Sequence, residues 1–129
     1  MKLFLLLGLV FAVLFFVQRM LAGPTLKPEE AARRIAAGTA ILIDVREADE
    51  WRDGVVKGAL LLPLSDLQGA RTQWKPVLAA DAGKELILYC RSGHRAGVAA
   101  RLLAGEKFKT ANAGGFAAWK AAGQPVQMP

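Results

Sequence analysis

Short apolar runs alternate with helical stretches along most of the chain. Four runs have the length of buried strands, and length together with flanking residues is what separates a strand from a buried helix. They lie at residues 40–43, 59–62, 86–89 and 108–111. Stretches with helical spacing lie at residues 28–37, 48–53, 66–75, 95–104 and 116–122. This alternation predicts an α/β domain with a mainly parallel central sheet and helices on both faces.

Glycine and proline residues mark the boundaries of these elements. Residues 54–58 and the glycine-rich residues 112–115 are predicted to be turns. Pro76 is expected to limit the helix at 66–75, and Pro125 the ordered structure at the carboxyl end. Three tryptophans, each in a predicted helix, are expected to anchor the core: Trp51, Trp74 and Trp119.

The chain begins with fifteen consecutive apolar residues, 3–17, counting Gly8 among them. This length is at the top of the signal-peptide range and slightly short of a usual membrane span. Met20 is large for a position near a cleavage site, and this favours an uncleaved membrane helix over residues 3–21. The predicted organisation is a signal or anchor at 1–22, a linker at 23–27 and one domain at 28–126.

The side of the membrane stays open at this stage. Arg19, Lys27, Arg33 and Arg34 follow the apolar run closely. Positive residues tend to remain on the cytoplasmic side, so they favour a cytoplasmic domain. A cleaved or signal-like leader would instead export the domain, to the periplasm in a bacterium.

Composition narrows the function classes. The chain has 129 residues, a formal net charge of +6 and 22% charged residues, which suits one globular domain. Its basic residues are interspersed with acids, so no nucleic-acid partner is expected. With one cysteine and one histidine, no internal disulfide, metal site or cofactor is expected.

The densest group of potentially reactive and charged side chains surrounds the only cysteine of the sequence. Cys90 follows the apolar run 86–89, and a small-residue helix begins near Arg95. Unpaired N–H groups at a helix start, together with those of a tight loop, favour an anion, here a thiolate. Arg91 and Arg95 add positive charge suited to an anionic substrate, and Gly93 permits a tight turn. The alternative is an inert buried thiol.

A second polar group follows the strand at 40–43. Asp44 and Arg46 leave the carboxyl end of that strand, and ligand sites of parallel sheets gather at this edge. We therefore expect them to lie near Cys90 and residues 112–115. A structural role for Asp44, accepting loop hydrogen bonds or pairing with an arginine, is favoured over a catalytic one.

These residues resemble the rhodanese family of sulfurtransferases over residues 28–126, and more loosely the small phage-shock type with its hydrophobic leader. The matching motifs are IDVRE at 43–47, GA at 58–59 with LP at 62–63, YCRSGHRA at 89–96, and GG at 114–115 with Trp119 and GQPV at 123–126.

The resemblance implies sulfur transfer through a persulfide on Cys90. A small anionic donor such as thiosulfate would supply the sulfur, and cyanide or a thiol would accept it. The substrate-binding loop would comprise Arg91, Ser92, Gly93, His94 and Arg95, with Asp44 and Arg46 in support. His94 would either tune the charge near neutral pH or be a solvated loop residue.

Two other functions remain open from the sequence. A non-enzymatic, membrane-tethered binding or regulatory module would use the same domain without turnover. A phosphatase of related fold is the other, but tyrosine-phosphatase loops place five residues between cysteine and arginine. Here four residues separate Cys90 from Arg95, which is typical of a loop fitted to sulfur rather than phosphate.

Overall fold

The computed structural model describes residues 1–22, 25–81 and 83–129. Its helices are α1 (Lys2–Ala22), α2 (Pro28–Ala36), α3 (Leu64–Leu67), α4 (Trp74–Ala80), α5 (His94–Gly105) and α6 (Phe116–Ala121), with a 3₁₀ turn at Glu50–Asp53. Its strands are β1 (Ala40–Asp44), β2 (Val55–Val56), β3 (Leu60–Leu61), β4 (Glu85–Cys90), β5 (Thr110–Gly115) and β6 (Val126–Gln127). Gly23 and Pro24 of the predicted linker, and Ala82, lie outside the described residues.

The central sheet is parallel, in the order β3-β1-β4-β5. Every residue of β4 is buried, as expected for the strand in the middle of a doubly covered sheet. The predicted α/β class and mainly parallel sheet are confirmed. All four strands end at the same edge, which therefore gathers Asp44, Cys90 and Gly115.

Alternate residues of β4 serve two cores because strand side chains point to opposite faces. Leu88 and Cys90 belong to the cluster that α3, α4 and α5 cover. Ile87 and Tyr89 belong to the cluster that α2 and α6 cover, which includes Trp119. Helices thus cover both faces of the sheet, as predicted.

The predicted helix at 66–75 is wrong, because two helices occupy this region. The Asp66 carboxylate accepts N–H groups of Thr72, Gln73 and Trp74, at 3.1, 2.9 and 3.3 Å, and so starts a second helix. Pro76 lies in the first turn of α4 rather than ending a helix. A proline is tolerated there because first-turn N–H groups have no intrahelical partner.

Two predicted turns contain strands. Residues 54–58 include β2, which pairs antiparallel with β6 near the carboxyl end, where no further element was predicted. Residues 112–115 are the last four of the six residues of β5, whereas the strand was predicted at 108–111. A strand of two residues is too short to show a period in the sequence. The glycines of β5 are typical of a turn in the sequence, and only the pairing with β4 shows that they belong to a strand.

Two of the three tryptophans anchor the core as predicted. Trp74 and Trp119 are fully buried, and their indole N–H groups donate to the carbonyls of Pro63 and Ala113, both at 2.9 Å. The prediction is wrong for Trp51, which is partly exposed and whose indole N–H has no partner in the described part of the chain. The short 3₁₀ turn that carries Trp51 has no buried residue.

The apolar leader forms α1, and the large apolar side chains of residues 3–17 are exposed. Within residues 1–22, 25–81 and 83–129, no helix has both the length and the apolar character required to cross a membrane. The predicted membrane span over residues 3–21 is therefore not supported.

Two adjacent leucines of α5 provide a test of the core. Leu103 is fully buried, whereas Leu102 is 37% exposed. We expect Leu103→Ala to lower the free energy of unfolding by about 2–5 kcal/mol, because it leaves a cavity. Leu102→Ala should change it by less than about 1 kcal/mol. Urea unfolding of the full chain measures both, and equal effects would contradict this packing of α5.

Candidate active site

The candidate site lies where β4 ends and α5 begins. Cys90 is the last residue of β4, and His94 is the first residue of α5. Gly93 precedes the helix with φ of 94°, a backbone conformation that glycine adopts at little cost. Its N–H donates to Cys90 Sγ at 3.0 Å. The chain therefore folds back over the buried thiol within three residues.

The sulfur lies at a positively polarised part of the backbone. Sγ accepts a backbone N–H at the start of a twelve-residue helix, whose amino end carries partial positive charge. Cys90 itself has no exposed surface, so the loop also shields it from bulk water.

The end of β5 holds the loop from one side. The Asn112 amide donates to the Gly93 carbonyl at 2.9 Å, and its oxygen accepts the Gly114 N–H at 2.9 Å. A Cβ on Gly115 would lie 2.5 Å from the Arg91 carbonyl oxygen. Sequence reasoning placed residues 112–115 at this edge but assigned no role to Asn112. The sequence signal that could have indicated this role is a polar residue between the apolar run 108–111 and the glycines 114–115.

Asp44 and Arg46 form a buried ion pair beside the site. Arg46 Nη2 lies 2.8 Å from Asp44 Oδ2, and its Nε lies 3.1 Å from both carboxylate oxygens. Arg46 also donates to the carbonyls of Glu50 and Gly54, at 3.3 and 2.7 Å. Burial opposes the charge of Arg46, but Asp44 outweighs it and raises the pKa of Arg46 above its ordinary value. The pair thereby attaches the 3₁₀ turn to the end of β1.

Arg95 is held by Glu50, a residue that the sequence did not single out. Its Nη1 and Nη2 lie 2.5 and 2.8 Å from the two carboxylate oxygens of Glu50. Mainly through this contact, Arg95 lowers the pKa of Glu50 to about 2. The predicted donor-binding cation is therefore already paired in the structure.

The remaining predicted residues of the loop face solvent. Arg91, Ser92 and His94 are exposed. In the described ranges, no ion pair engages Arg91. No group of metal-ligating residues occurs among residues 1–22, 25–81 and 83–129. The unpaired positive charge next to the thiol thus belongs to Arg91 rather than Arg95.

A thiol that accepts a backbone N–H at the carboxyl edge of a parallel sheet, directly before a helix, indicates an α/β protein whose site is built around a cysteine loop. The rhodanese-like domain family matches residues 27–122. The chain belongs to this family.

The relatives agree with this assignment. An uncharacterised Synechocystis protein is 35% identical over 104 residues, covering 79% of this chain, which in turn spans 55% of that protein. Human thiosulfate:glutathione sulfurtransferase is 33% identical over 85 residues, covering 59% of this chain and 73% of its own. A rhodanese-related protein of Thermoplasma volcanium superimposes with a TM-score of 0.67 at 25% identity, covering 81% of this chain and 98% of its own. These similarities support a sulfurtransferase-like role.

The contact between Gly115 and the loop can be tested by adding one methyl group. We expect Gly115→Ala to destabilise the protein by about 1–3 kcal/mol, because its Cβ overlaps the backbone of Arg91. Amide NMR signals of residues 91–95 should shift as the loop moves. Gly105→Ala is the control, since no atom lies within 4 Å of that Cβ. Unchanged loop signals in Gly115→Ala would contradict the contact.

The Glu50–Arg95 pair predicts a pH dependence of stability. The folded-state pKa of Glu50 is about 2, against an ordinary value of 4.5. Its stabilisation is therefore complete above pH 4.5 and is lost as the pH falls towards 2. We expect Glu50→Gln to lower the free energy of unfolding by about 1–2 kcal/mol at neutral pH, and by less near pH 2.

Urea unfolding at several pH values measures this difference. Glu29→Gln serves as the control, because Glu29 is exposed and has no ion pair in the described segments. A Glu50→Gln effect that is equal at neutral pH and near pH 2 would contradict the lowered pKa.

Proposed function

We propose that the protein transfers sulfane sulfur from a donor such as thiosulfate to a thiol, through a persulfide on Cys90. The observation that carries this proposal is the Gly93 N–H donated to Cys90 Sγ at the amino end of α5. It supplies a nucleophilic sulfur and a stabilising environment for the anionic persulfide. The family relationship supports the same chemistry.

The first step is an attack of the Cys90 thiolate on the outer sulfur of thiosulfate. A new S–S bond forms, the original S–S bond breaks, and sulfite leaves with the bonding electrons. No external oxidant or reductant is required. Arg91, which is exposed and without an ion pair in the described residues, attracts the anionic donor. Arg95 holds the adjoining turn through Glu50.

In the second step a thiolate acceptor attacks the terminal sulfur of the persulfide. The S–S bond to Cys90 breaks, the acceptor leaves as a persulfide, and the Cys90 thiolate is restored. The name of the human relative, thiosulfate:glutathione sulfurtransferase, suggests glutathione as one candidate acceptor. Cyanide can replace the thiol as a small nucleophile that yields thiocyanate.

Intact-protein mass spectrometry tests the persulfide directly. After incubation of the full chain with thiosulfate, we expect a mass gain of about 32 Da. This is the mass of the one sulfur atom held in the covalent intermediate. Cyanide should remove it with release of thiocyanate. Cys90→Ser is the matched control and should gain no mass. A folded protein whose Cys90 reacts with iodoacetamide, but not with thiosulfate or other sulfane-sulfur donors, would favour the binding-module function instead.

A further inference from the structure

A short segment before α2 lies along the outer side of β5. β5 is an edge strand, because the order of the sheet is β3-β1-β4-β5. Thr25 pairs with Asn112 in a parallel β-bridge, and the Leu26 N–H donates to the Asn112 carbonyl at 2.7 Å. Thr25 and Leu26, here called the strap, therefore contact β5 at the residue whose side chain holds the Cys90 loop.

The pairing between β4 and β5 is irregular at the same point. Leu88 pairs with Asn112, and the next pair joins Cys90 to Gly115. Between these pairs, two residues of β5 lie opposite one residue of β4, which is the arrangement of a β-bulge. A bulge leaves the extra residue outside the regular ladder, so the ladder alone does not fix the end of β5. Contacts from the strap act on the other side of that end.

Thr25, Gly114 and Gly93 are packed in a row that leads to the sulfur. A Cβ on Gly114 would lie 3.3 Å from Thr25 Cγ2, and a Cβ on Gly93 would lie 3.4 Å from the Gly114 Cα. The Gly93 N–H donates to Cys90 Sγ at 3.0 Å. Because closely packed atoms transmit a displacement to their neighbours, a change at Thr25 Cγ2 reaches the N–H that the sulfur accepts.

We propose that Thr25 is a positioning residue for sulfur transfer. Its methyl group holds Gly114 against Gly93, and Gly93 in turn keeps its N–H directed at Cys90 Sγ. This role rests on the persulfide chemistry proposed above and adds no chemical step to it. It makes Thr25, a residue that the sequence predicted to lie in a linker, part of the frame of the active site.

Two substitutions separate the methyl group of Thr25 from its hydroxyl. Thr25→Ser removes Cγ2 and keeps the hydroxyl, whereas Thr25→Val keeps a methyl group at that position and replaces the hydroxyl. Both variants should remain folded, because Thr25 is exposed, and urea unfolding checks this.

The rate of persulfide formation in a single turnover of the full chain tests the proposal. Intact mass is followed over a range of thiosulfate concentrations. We expect Thr25→Ser to lower the limiting rate at least about threefold, because small displacements of reacting groups slow a reaction. Thr25→Val should match the wild type. The half-saturating thiosulfate concentration should stay the same in both variants, because the exposed Arg91 is unchanged.

The amide NMR signal of Gly93 provides a readout that does not depend on turnover. It should shift in Thr25→Ser and much less in Thr25→Val. Thr39→Ser is the matched control, because it removes the same methyl group from another exposed threonine, directly before β1 at the opposite edge of the sheet. It should leave both the limiting rate and the Gly93 signal unchanged.

Three results would contradict the proposals, and they are distinguishable. A limiting rate of Thr25→Ser equal to that of the wild type, or an equal loss in Thr25→Ser and Thr25→Val, would overturn the positioning role. A Gly93 signal that does not move in Thr25→Ser would also overturn it, whether or not the persulfide forms. A wild-type Cys90 that gains no sulfur would instead overturn the sulfur transfer on which this role rests.

Discussion

The candidate site depends on close contact between two pieces of backbone. The loop after Cys90 lies directly on the end of β5, so closely that Gly115 has no room for a Cβ. Asn112 ties the two segments with its side-chain amide. Because this contact fixes Gly93, it also fixes the N–H that Gly93 donates to the sulfur. The surroundings of the thiol are therefore set by a neighbouring strand as well as by the loop itself.

Ion pairs complete the frame on the other side of the loop. Asp44 and Arg46 attach the 3₁₀ turn to β1, and Glu50 of that turn holds Arg95 at the start of α5. A buried pair is costly to desolvate and is stable here because both partners make several hydrogen bonds. Arg46 and Arg95 are therefore both ion-paired. Arg91 is exposed and has no ion pair among the described residues.

Local patterns predicted most elements, and they failed where a particular side-chain contact or a distant partner strand decides the structure. The strand before Cys90 and the helix after it follow from an apolar run and from small residues at helical spacing. Residues 66–75 have helical spacing too, yet Asp66 turns its carboxylate to a second helix start. β2 and β6 form because they pair with each other, although about 70 residues of the chain separate them. No window of neighbouring residues contains that information.

The sequence by itself determined the α/β class, the position of Cys90 between a strand and a helix, and the resemblance to the rhodanese family. These depend on periodicity and short motifs, which are local properties of a chain. Only the tertiary structure decided which charges near the sulfur are paired. Glu50 and Arg95 lie 45 residues apart in the chain, and Asn112 reaches Gly93 across 19 residues. Such contacts form when parallel strands bring their carboxyl ends to one edge, and the order of the strands is a property of the whole fold.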